Sequence, residues 1–207
     1  MNIQFPLLFL LSQNFVQRDD VVVNVYGEAG AGYVDSISLI YVKQAFDFRY
    51  GLKGSAVTSG PDRQILTRVL QLTTELAREG REGKPVGTLF VVGDYEEVKP
   101  YVRQLIVNPF RGYDEEERNI LDPNLEETIK EYAKIDGAFI IRADGVIMSA
   151  GSYISGQPKP EELLSGLGAR HAAALGITTI TSAFAIVLSE STRKITVFRA
   201  GSRLVEL

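Results

Sequence analysis

The chain contains no cysteine, and this absence removes several functional classes at once. Disulfide bonds, thiolate nucleophiles and zinc sites built on cysteine are all excluded. A surplus of positive charge is also missing, because 26 acidic residues outnumber 22 basic ones and the net charge is -4. Proteins that track nucleic-acid backbones carry a basic surface, so we expect no nucleic-acid partner. A polyanionic substrate would have to be held locally, by a few side chains with or without a metal ion.

Long apolar runs and hydrolase motifs are absent as well. The segment from Phe5 to Leu11 is apolar, but it has no basic flank and falls far short of the ~20 residues that a bilayer span needs. We expect it to be a core element of a cytoplasmic protein with no membrane partner. A secretory signal is the alternative, although its small-residue cleavage pattern is missing. No Gly-x-Ser-x-Gly sequence occurs, which excludes the nucleophile elbow of α/β-hydrolases.

Helical and strand patterns alternate along the chain. A β-branched run from Val21 to Tyr26 predicts a buried strand. Apolar residues at spacings of three and four predict an amphipathic helix from Pro61 to Gly80. Asn124 is predicted to cap a helix that ends at Lys134. Further strands are predicted at residues 86–93, in a hairpin at 138–149, and in a closing pair at 184–188 and 195–199.

This interleaving of hairpins with helix-linked strands predicts an α/β fold, in which helices flank a mixed central β-sheet. With 207 residues, the chain is long enough for one main core and a smaller attached unit. We expect a small N-terminal α/β segment over residues 1–60, to which no role is assigned, and a main domain over residues 61–207.

The only histidine, His171, follows a glycine-rich turn that leads into a small-residue helix, with the sequence Gly166-Leu167-Gly168-Ala169-Arg170-His171. Glycines before a helix let backbone amides approach an anion, and the helix N-terminus adds partial positive charge. Arg170 offers a planar fork to phosphate oxygens, and His171 can donate, accept or ligate a metal. The alternative is structural: the glycines pack the helix on the sheet and His171 is an interior hydrogen-bonding residue. The helix is predicted to end at Gly176.

Two further segments place carboxylates at the ends of predicted strands. Asp136-Gly137-Ala138 opens one strand, and Ser189-Glu190 ends another. Each has a simple alternative, a turn in the first case and a hairpin loop with a solvated glutamate in the second. A carboxylate at position 136 would suit a divalent ion and help to deprotonate a ribose hydroxyl.

With Asp136-Gly137-Ala138, Gly168-Ala169-Arg170-His171 and Ser189-Glu190 in this order and spacing, the chain resembles the archaeal-type branch of the diadenylate cyclase (DAC domain) family. The resemblance extends over residues 61–207. It implies that two ATP molecules condense to cyclic di-AMP with release of two pyrophosphates. It also implies a Mn²⁺, Mg²⁺ or Co²⁺ ion, and a homodimer or higher homo-oligomer in which the site lies between two facing protomers.

On this basis we assign roles as a hypothesis. Asp136, Arg170 and His171 are the catalytic residues, and Asp136 and His171 are the metal ligands. The nucleotide-binding residues are Gly137, Ala138, Gly168, Ala169, Arg170, His171, Ser189 and Glu190.

The chain also departs from the commoner bacterial pattern of the family. Ala169 and Ala172 stand where a threonine and a second arginine are usual, and Ser191 replaces a third acidic position. These losses of polar side chains favour one alternative function, a non-catalytic module of the same fold that senses ATP or the cyclic dinucleotide.

Overall fold

The computed structural model describes residues 7, 10, 15–17, 19–27, 33–42, 63–155 and 168–206. The chain divides into two compact units, Met1–Val57 and Thr58–Leu207. The predicted domain boundary after residue 60 falls outside the described residues and stays a prediction. So do the predicted helix start at Pro61, the glycine at position 166 and most of the segment from Phe5 to Leu11.

The described residues of the first unit include an antiparallel hairpin, in which β1 (Val21–Tyr26) pairs with β2 (Ser36–Tyr41). The predicted strand is confirmed, but its predicted burial is wrong. Every second side chain of β1, beginning with Val21, is between 48% and 58% exposed. The residues that pair with them across the hairpin are apolar and exposed too, so one whole face of this hairpin meets solvent.

The second unit contains the helices and strands α1 (Arg63–Glu79), β3 (Thr88–Gly93), α2 (Tyr95–Val98), β4 (Val102–Gln104), α3 (Glu126–Tyr132), β5 (Ala138–Arg142), β6 (Ile147–Ile154), α4 (Ala169–Ile180), β7 (Phe184–Leu188), β8 (Ile195–Arg199) and β9 (Ser202–Glu206). Its strands form one seven-stranded sheet in the order β4-β6-β5-β3-β7-β8-β9. Only β3 and β5 are parallel, and every other neighbouring pair is antiparallel. The predicted mixed sheet with flanking helices is therefore confirmed.

Helices cover both faces of this sheet. Alternate residues of the central strand β3 point to opposite faces, and all of them are buried, so both faces are packed. Leu89 and Val91 pack in one core cluster with residues of α4. Phe90 points to the other face and stacks on Phe139, which belongs to an aromatic cluster that reaches Tyr132 of α3. The main domain is thus a three-layer structure with β3 at its centre.

Several local predictions need correction. Asp122, rather than Asn124, provides the cap, because its carboxylate accepts a hydrogen bond from the Asn124 amide (2.9 Å) at the start of a 3₁₀ turn that leads into α3. Helix α4 does not end at Gly176 but continues to Ile180, since Gly176 lies buried in its packed face. Strands β4 and β9 were not predicted. Within the described ranges, no helix combines the length and the apolar character that crossing a bilayer requires.

Candidate active site

A cleft of about 1070 Å³ opens at the ends of the central strands of the large sheet. Because β3 and β5 are parallel, both begin at this end of the sheet, and their antiparallel neighbours β7 and β6 finish there. The first turns of α4 form the opposite wall. The volume lies just above the ~300–1,000 Å³ that is typical of small-molecule sites.

All of the site residues that the sequence predicts line this cleft. They come from three separate segments: the turn before β5, the start of α4 and the end of β7. The residues are Asp136, Gly137, Ala138, Gly168, Ala169, Arg170, His171, Ser189 and Glu190.

The first turn of α4 presents backbone donors at the cleft. Gly168 caps the helix in an extended conformation, and its carbonyl accepts hydrogen bonds from the amides of His171 (3.0 Å) and Ala172 (3.1 Å). The amides of Ala169 and Arg170 come before any helical acceptor, so they are available to an anion. No acidic residue lies in this first turn. The helix start therefore has the donors and the electrostatic polarity of an anion site.

Arg170 links this helix to two carboxylates. Its Nη2 donates to Oδ1 of Asp136 at 3.2 Å, and its Nη1 lies 3.9 Å from Oε2 of Glu190. The Asp136 side chain is 93% exposed, whereas that of Arg170 is 29% exposed. The Arg170 Nε is buried and has no hydrogen-bond partner in the described part of the chain. Arg170 is therefore a partly buried cation with an unused donor, held over the strand ends.

Gly87 lies between these carboxylates, at the start of the central strand. The register pairs Leu89 with Ala138 on one side of β3, and Thr88 with Leu188 on the other. A Cβ at Gly87 would lie 2.8 Å from Nη1 of Arg170 and 2.9 Å from Cβ of Glu190. The absence of a side chain here is what lets the guanidinium pass over the strand.

Gly137 fixes the position of Asp136. Its φ of +110° is one that residues with a side chain rarely adopt, and a Cβ would lie 2.6 Å from the backbone of Gly151 and of Ser152. The turn before β5 therefore packs directly on the backbone of β6. This close contact holds the Asp136 backbone at the mouth of the cleft.

His171 is half-buried, and its ring faces the sheet as well as the cleft. Its Nε2 lies 3.3 Å from Oγ1 of Thr196 on β8, and its ring meets that of Phe198 edge-on. Burial lowers the pKa of His171 below its usual 6.5; the carboxylate of Glu206 opposes this shift, and Arg203 reinforces it. The imidazole is therefore neutral at pH 7, where one ring nitrogen donates a hydrogen bond and the other accepts one.

The loop after β7 carries Ser189 and Glu190. The Ser189 amide donates to the carbonyl of Lys194 (2.9 Å), and its hydroxyl accepts from the Thr192 amide (3.3 Å). Ser189 thus closes the turn between β7 and β8. Glu190 projects from this turn, with its side chain 62% exposed.

The acidic groups of the cleft match only part of a metal site. No cluster of three or more His, Asp or Glu side chains within the described ranges is arranged to hold an ion. The exposed Asp136 carboxylate does fit an ion that a nucleotide shares, because Mg²⁺ is commonly held by one or two carboxylates together with substrate phosphates. Ligation through Nε2 of His171 would require the loss of its contact with Thr196.

Some residues of the cleft were missed by sequence reasoning. Gly87, which lies beside the cleft, was expected only as part of the strand at residues 86–93, and its contact with Arg170 depends on the strand register. Thr196 is a buried polar residue inside the apolar strand β8, and that pattern is the signal that could have revealed it. Lys194 and Glu206 also line the cleft and carried no recognisable motif.

Known proteins are similar to this chain in sequence or in fold. Its sequence is 34% identical to a diadenylate cyclase of Methanocaldococcus jannaschii over 207 residues, which are 100% of this chain and 66% of that protein. It is also 34% identical to a diadenylate cyclase of Haloferax volcanii over 205 residues, 99% of this chain and 74% of the relative. The chain thus spans about two thirds of the length of the first relative.

One solved structure supports the fold alone. It is the crystal structure of a hypothetical membrane spanning protein from Bacillus cereus, with 19% identity and a TM-score of 0.51, and the match covers 67% of this chain and 61% of that one.

A profile of the family described as "DAC: DisA bacterial checkpoint controller nucleotide-binding" matches residues 75–203, a range that contains every predicted site residue. The chain belongs to this DAC family.

Proposed function

We propose that the protein is a diadenylate cyclase, which condenses two ATP molecules to cyclic di-AMP and releases two pyrophosphates. The observation that carries this proposal is the Asp136–Arg170 pair, 3.2 Å apart at the start of α4 and inside a cleft large enough for a nucleotide. The two relatives named diadenylate cyclase, aligned over almost the whole chain, support the same reaction.

The reaction joins two nucleotides by two equivalent displacements. In each, the 3′ hydroxyl of one ATP attacks the α-phosphorus of the other and forms a new P–O bond. The bond between the α-phosphorus and its bridging oxygen to the β-phosphate breaks, and pyrophosphate leaves with the bonding electrons. The hydroxyl proton passes to a base. Positioning and charge stabilisation dominate the catalysis of such a displacement.

The start of α4 is suited to hold the phosphates. The amides of Ala169 and Arg170 donate to phosphate oxygens, and the helix N-terminus favours their negative charge. The Arg170 guanidinium, whose buried Nε has no partner among the described residues, adds charge-assisted hydrogen bonds. The neutral His171 contributes a further hydrogen bond without a charge of its own. Ser189 and Glu190 border the same phosphates from the end of β7.

Asp136 acts on the attacking hydroxyl. Its carboxylate stands at the open mouth of the cleft, where it accepts the hydroxyl proton and orients the oxygen for attack. A divalent ion such as Mn²⁺, Mg²⁺ or Co²⁺, held by Asp136 and the phosphates with His171 as a second protein ligand, would neutralise phosphate charge and lower the pKa of the hydroxyl. Arg170 keeps the carboxylate in place until the nucleotide arrives.

A symmetric dimer supplies the second nucleotide. Each cleft holds one ATP, and two clefts that face each other allow both displacements to occur. The high exposure of Asp136 supports this arrangement, since a base at the open mouth can reach a nucleotide bound by a facing copy.

The second candidate function is sensing of ATP or the cyclic dinucleotide without turnover. Ala169 and Ala172 favour it, because an alanine side chain cannot contact phosphate as a threonine hydroxyl or an arginine would. Only the backbone amides of the helix start remain at these positions. Binding through backbone amides would survive where catalysis fails.

One incubation decides between the two functions. Purified protein is mixed with ATP and Mn²⁺, with parallel samples in Mg²⁺, in Co²⁺ and without metal, and cyclic di-AMP is measured by mass spectrometry. We expect product that depends on the metal, and a loss of at least ~100-fold in Asp136→Asn. Glu127→Gln is the matched control, because it removes a carboxylate from a surface ion pair outside the cleft. ATP binding without product in the wild type would establish the sensing module instead.

A further inference from the structure

We propose that Lys194 is a second phosphate-binding cation of the cleft, and this proposal rests on ATP being the ligand. Lys194 comes just before β8 and lines the cleft, although no motif marks it. Its ammonium group would bind phosphate oxygens from the sheet side, opposite the helix that carries Arg170.

The charged side chains that line the cleft favour a role for a second cation in phosphate binding. Three carboxylates line it, those of Asp136, Glu190 and Glu206. Arg170 is the one cationic side chain of α4, and it already faces two of these carboxylates. Arg170 and Lys194 are the two arginine or lysine side chains among the described residues that line the cleft. A triphosphate would otherwise enter with a single protein cation.

The strand pairing brings Lys194 to the wall where the helix start lies. Thr196 lies two residues further along β8, so both side chains point to the same face. Thr196 touches His171 at 3.3 Å and pairs in register with Glu206 of β9. The Nζ of Lys194 lies 2.6 Å from Oε1 of Glu206. Lys194 is therefore linked to the first turn of α4 by its ion pair with Glu206, by the register pair of Glu206 with Thr196, and by the contact of Thr196 with His171.

Lys194 can leave its present partner at little cost. Glu206 also accepts a hydrogen bond from Nη1 of Arg203 at 2.9 Å, so its carboxylate stays paired when Lys194 moves. The Lys194 side chain is 56% exposed, and ion pairs this exposed are weak. Its four-carbon stem lets the ammonium swing from the carboxylate to an arriving phosphate.

The test compares two variants, each of which removes one of the two positively charged partners of Glu206. Lys194→Gln changes a residue that lines the cleft, and Arg203→Gln changes one outside its lining. Affinity is measured by calorimetry for adenosine and for α,β-methylene-ATP with Mn²⁺, in which a carbon replaces the bridging oxygen that cyclisation would release. Melting temperatures establish that both variants fold.

We expect Lys194→Gln to bind the triphosphate analogue about ten-fold more weakly, because one charge-assisted contact is lost. Its affinity for adenosine should be unchanged, Lys194→Arg should restore most of the loss, and Arg203→Gln should bind both ligands as the wild type does. Equal weakening for adenosine and the analogue, equal effects of the two glutamine variants, or no binding of the analogue by the wild type would each overturn the proposal.

The same measurement separates this proposal from the cyclase assignment. Binding of the analogue needs no turnover, so a wild type that makes no cyclic di-AMP still tests Lys194. A wild type that makes the product, combined with unchanged analogue affinity in Lys194→Gln, would refute the role of Lys194 and leave the cyclase proposal intact.

Discussion

The guanidinium of Arg170 donates to the carboxylate of Asp136 across 3.2 Å, which joins the first turn of α4 to the turn before β5. These two elements are 34 residues apart in sequence and meet only because β5 lies beside the central strand. Under the proposed function, the pair combines a cation that binds phosphate with a carboxylate that acts as a base. Its geometry depends on neighbours that have no chemistry of their own, above all Gly87 and Gly137.

Arg170→Lys should lower kcat/KM for cyclic di-AMP formation by about 30-fold or more. Lysine keeps the charge but lacks the planar guanidinium that faces Asp136 and Glu190 with two different nitrogens. The loss of one charge-assisted hydrogen bond would raise the activation free energy by about 2 kcal/mol. Initial rates at several ATP concentrations give the value. Activity within about two-fold of the wild type would show that a point charge is enough.

Gly87→Ala should disturb the site more than the fold. The added methyl would displace Nη1 of Arg170, the far end of a flexible side chain, but it would also press on the backbone nitrogen of Glu190 at 3.2 Å. We expect kcat/KM to fall about ten-fold, while the melting temperature changes by only a few degrees. A variant that unfolds before it loses activity would contradict the positioning role of Gly87.

The titration of His171 can be followed without interference, because it is the only histidine. Burial lowers its pKa, so the proton resonances of the ring should titrate below pH 6.5 in NMR spectra. The unfolded chain then binds more protons than the folded one in this range. Stability should therefore be complete above pH 6.5 and decline as the pH falls towards the folded pKa.

His171→Gln provides the comparison for this pH dependence. The variant should lose the part of the stability change that lies just below pH 6.5, as measured by denaturant unfolding at a series of pH values. Identical profiles for the two proteins, or a ring midpoint above 6.5, would contradict the burial of the imidazole.

Gly137→Ala should destabilise the protein by about 2–4 kcal/mol, because a positive φ and a backbone collision act together. Gly112→Ala is the matched control, since Gly112 has a φ of +95° but open space around its Cβ position. It should cost only about 1 kcal/mol. Urea unfolding measures both values, and equal losses would mean that the contact with Gly151 and Ser152 contributes nothing.

Sequence patterns predicted those parts of the fold that repeat over many residues. The periodic helix α1, the apolar strand β3 and the hairpin with its Asp144-Gly145 turn all lie where they were expected. The three-residue strand β4 and the final strand β9 lacked such a signal. Gly176 misled the helix prediction, because a glycine can also lie inside a packed helix face.

The candidate site divides in the same way. Its motif residues were predicted because glycine, arginine and histidine before a helix have a local chemical meaning. Gly87, Lys194 and Glu206 were not, because their relation to the site arises from strand pairing across the sheet. Glu206 meets Lys194 only through β9, which no sequence pattern predicted.

The 93% exposure of the Asp136 side chain has a kinetic consequence. Under the proposed reaction, an isolated chain can bind its nucleotide but must encounter a second loaded chain before any bond forms. Product formed per mole of protein should therefore rise with protein concentration and level off once pairing is complete. The concentration of the protein, as well as the supply of ATP, would then set the rate at which cyclic di-AMP is made.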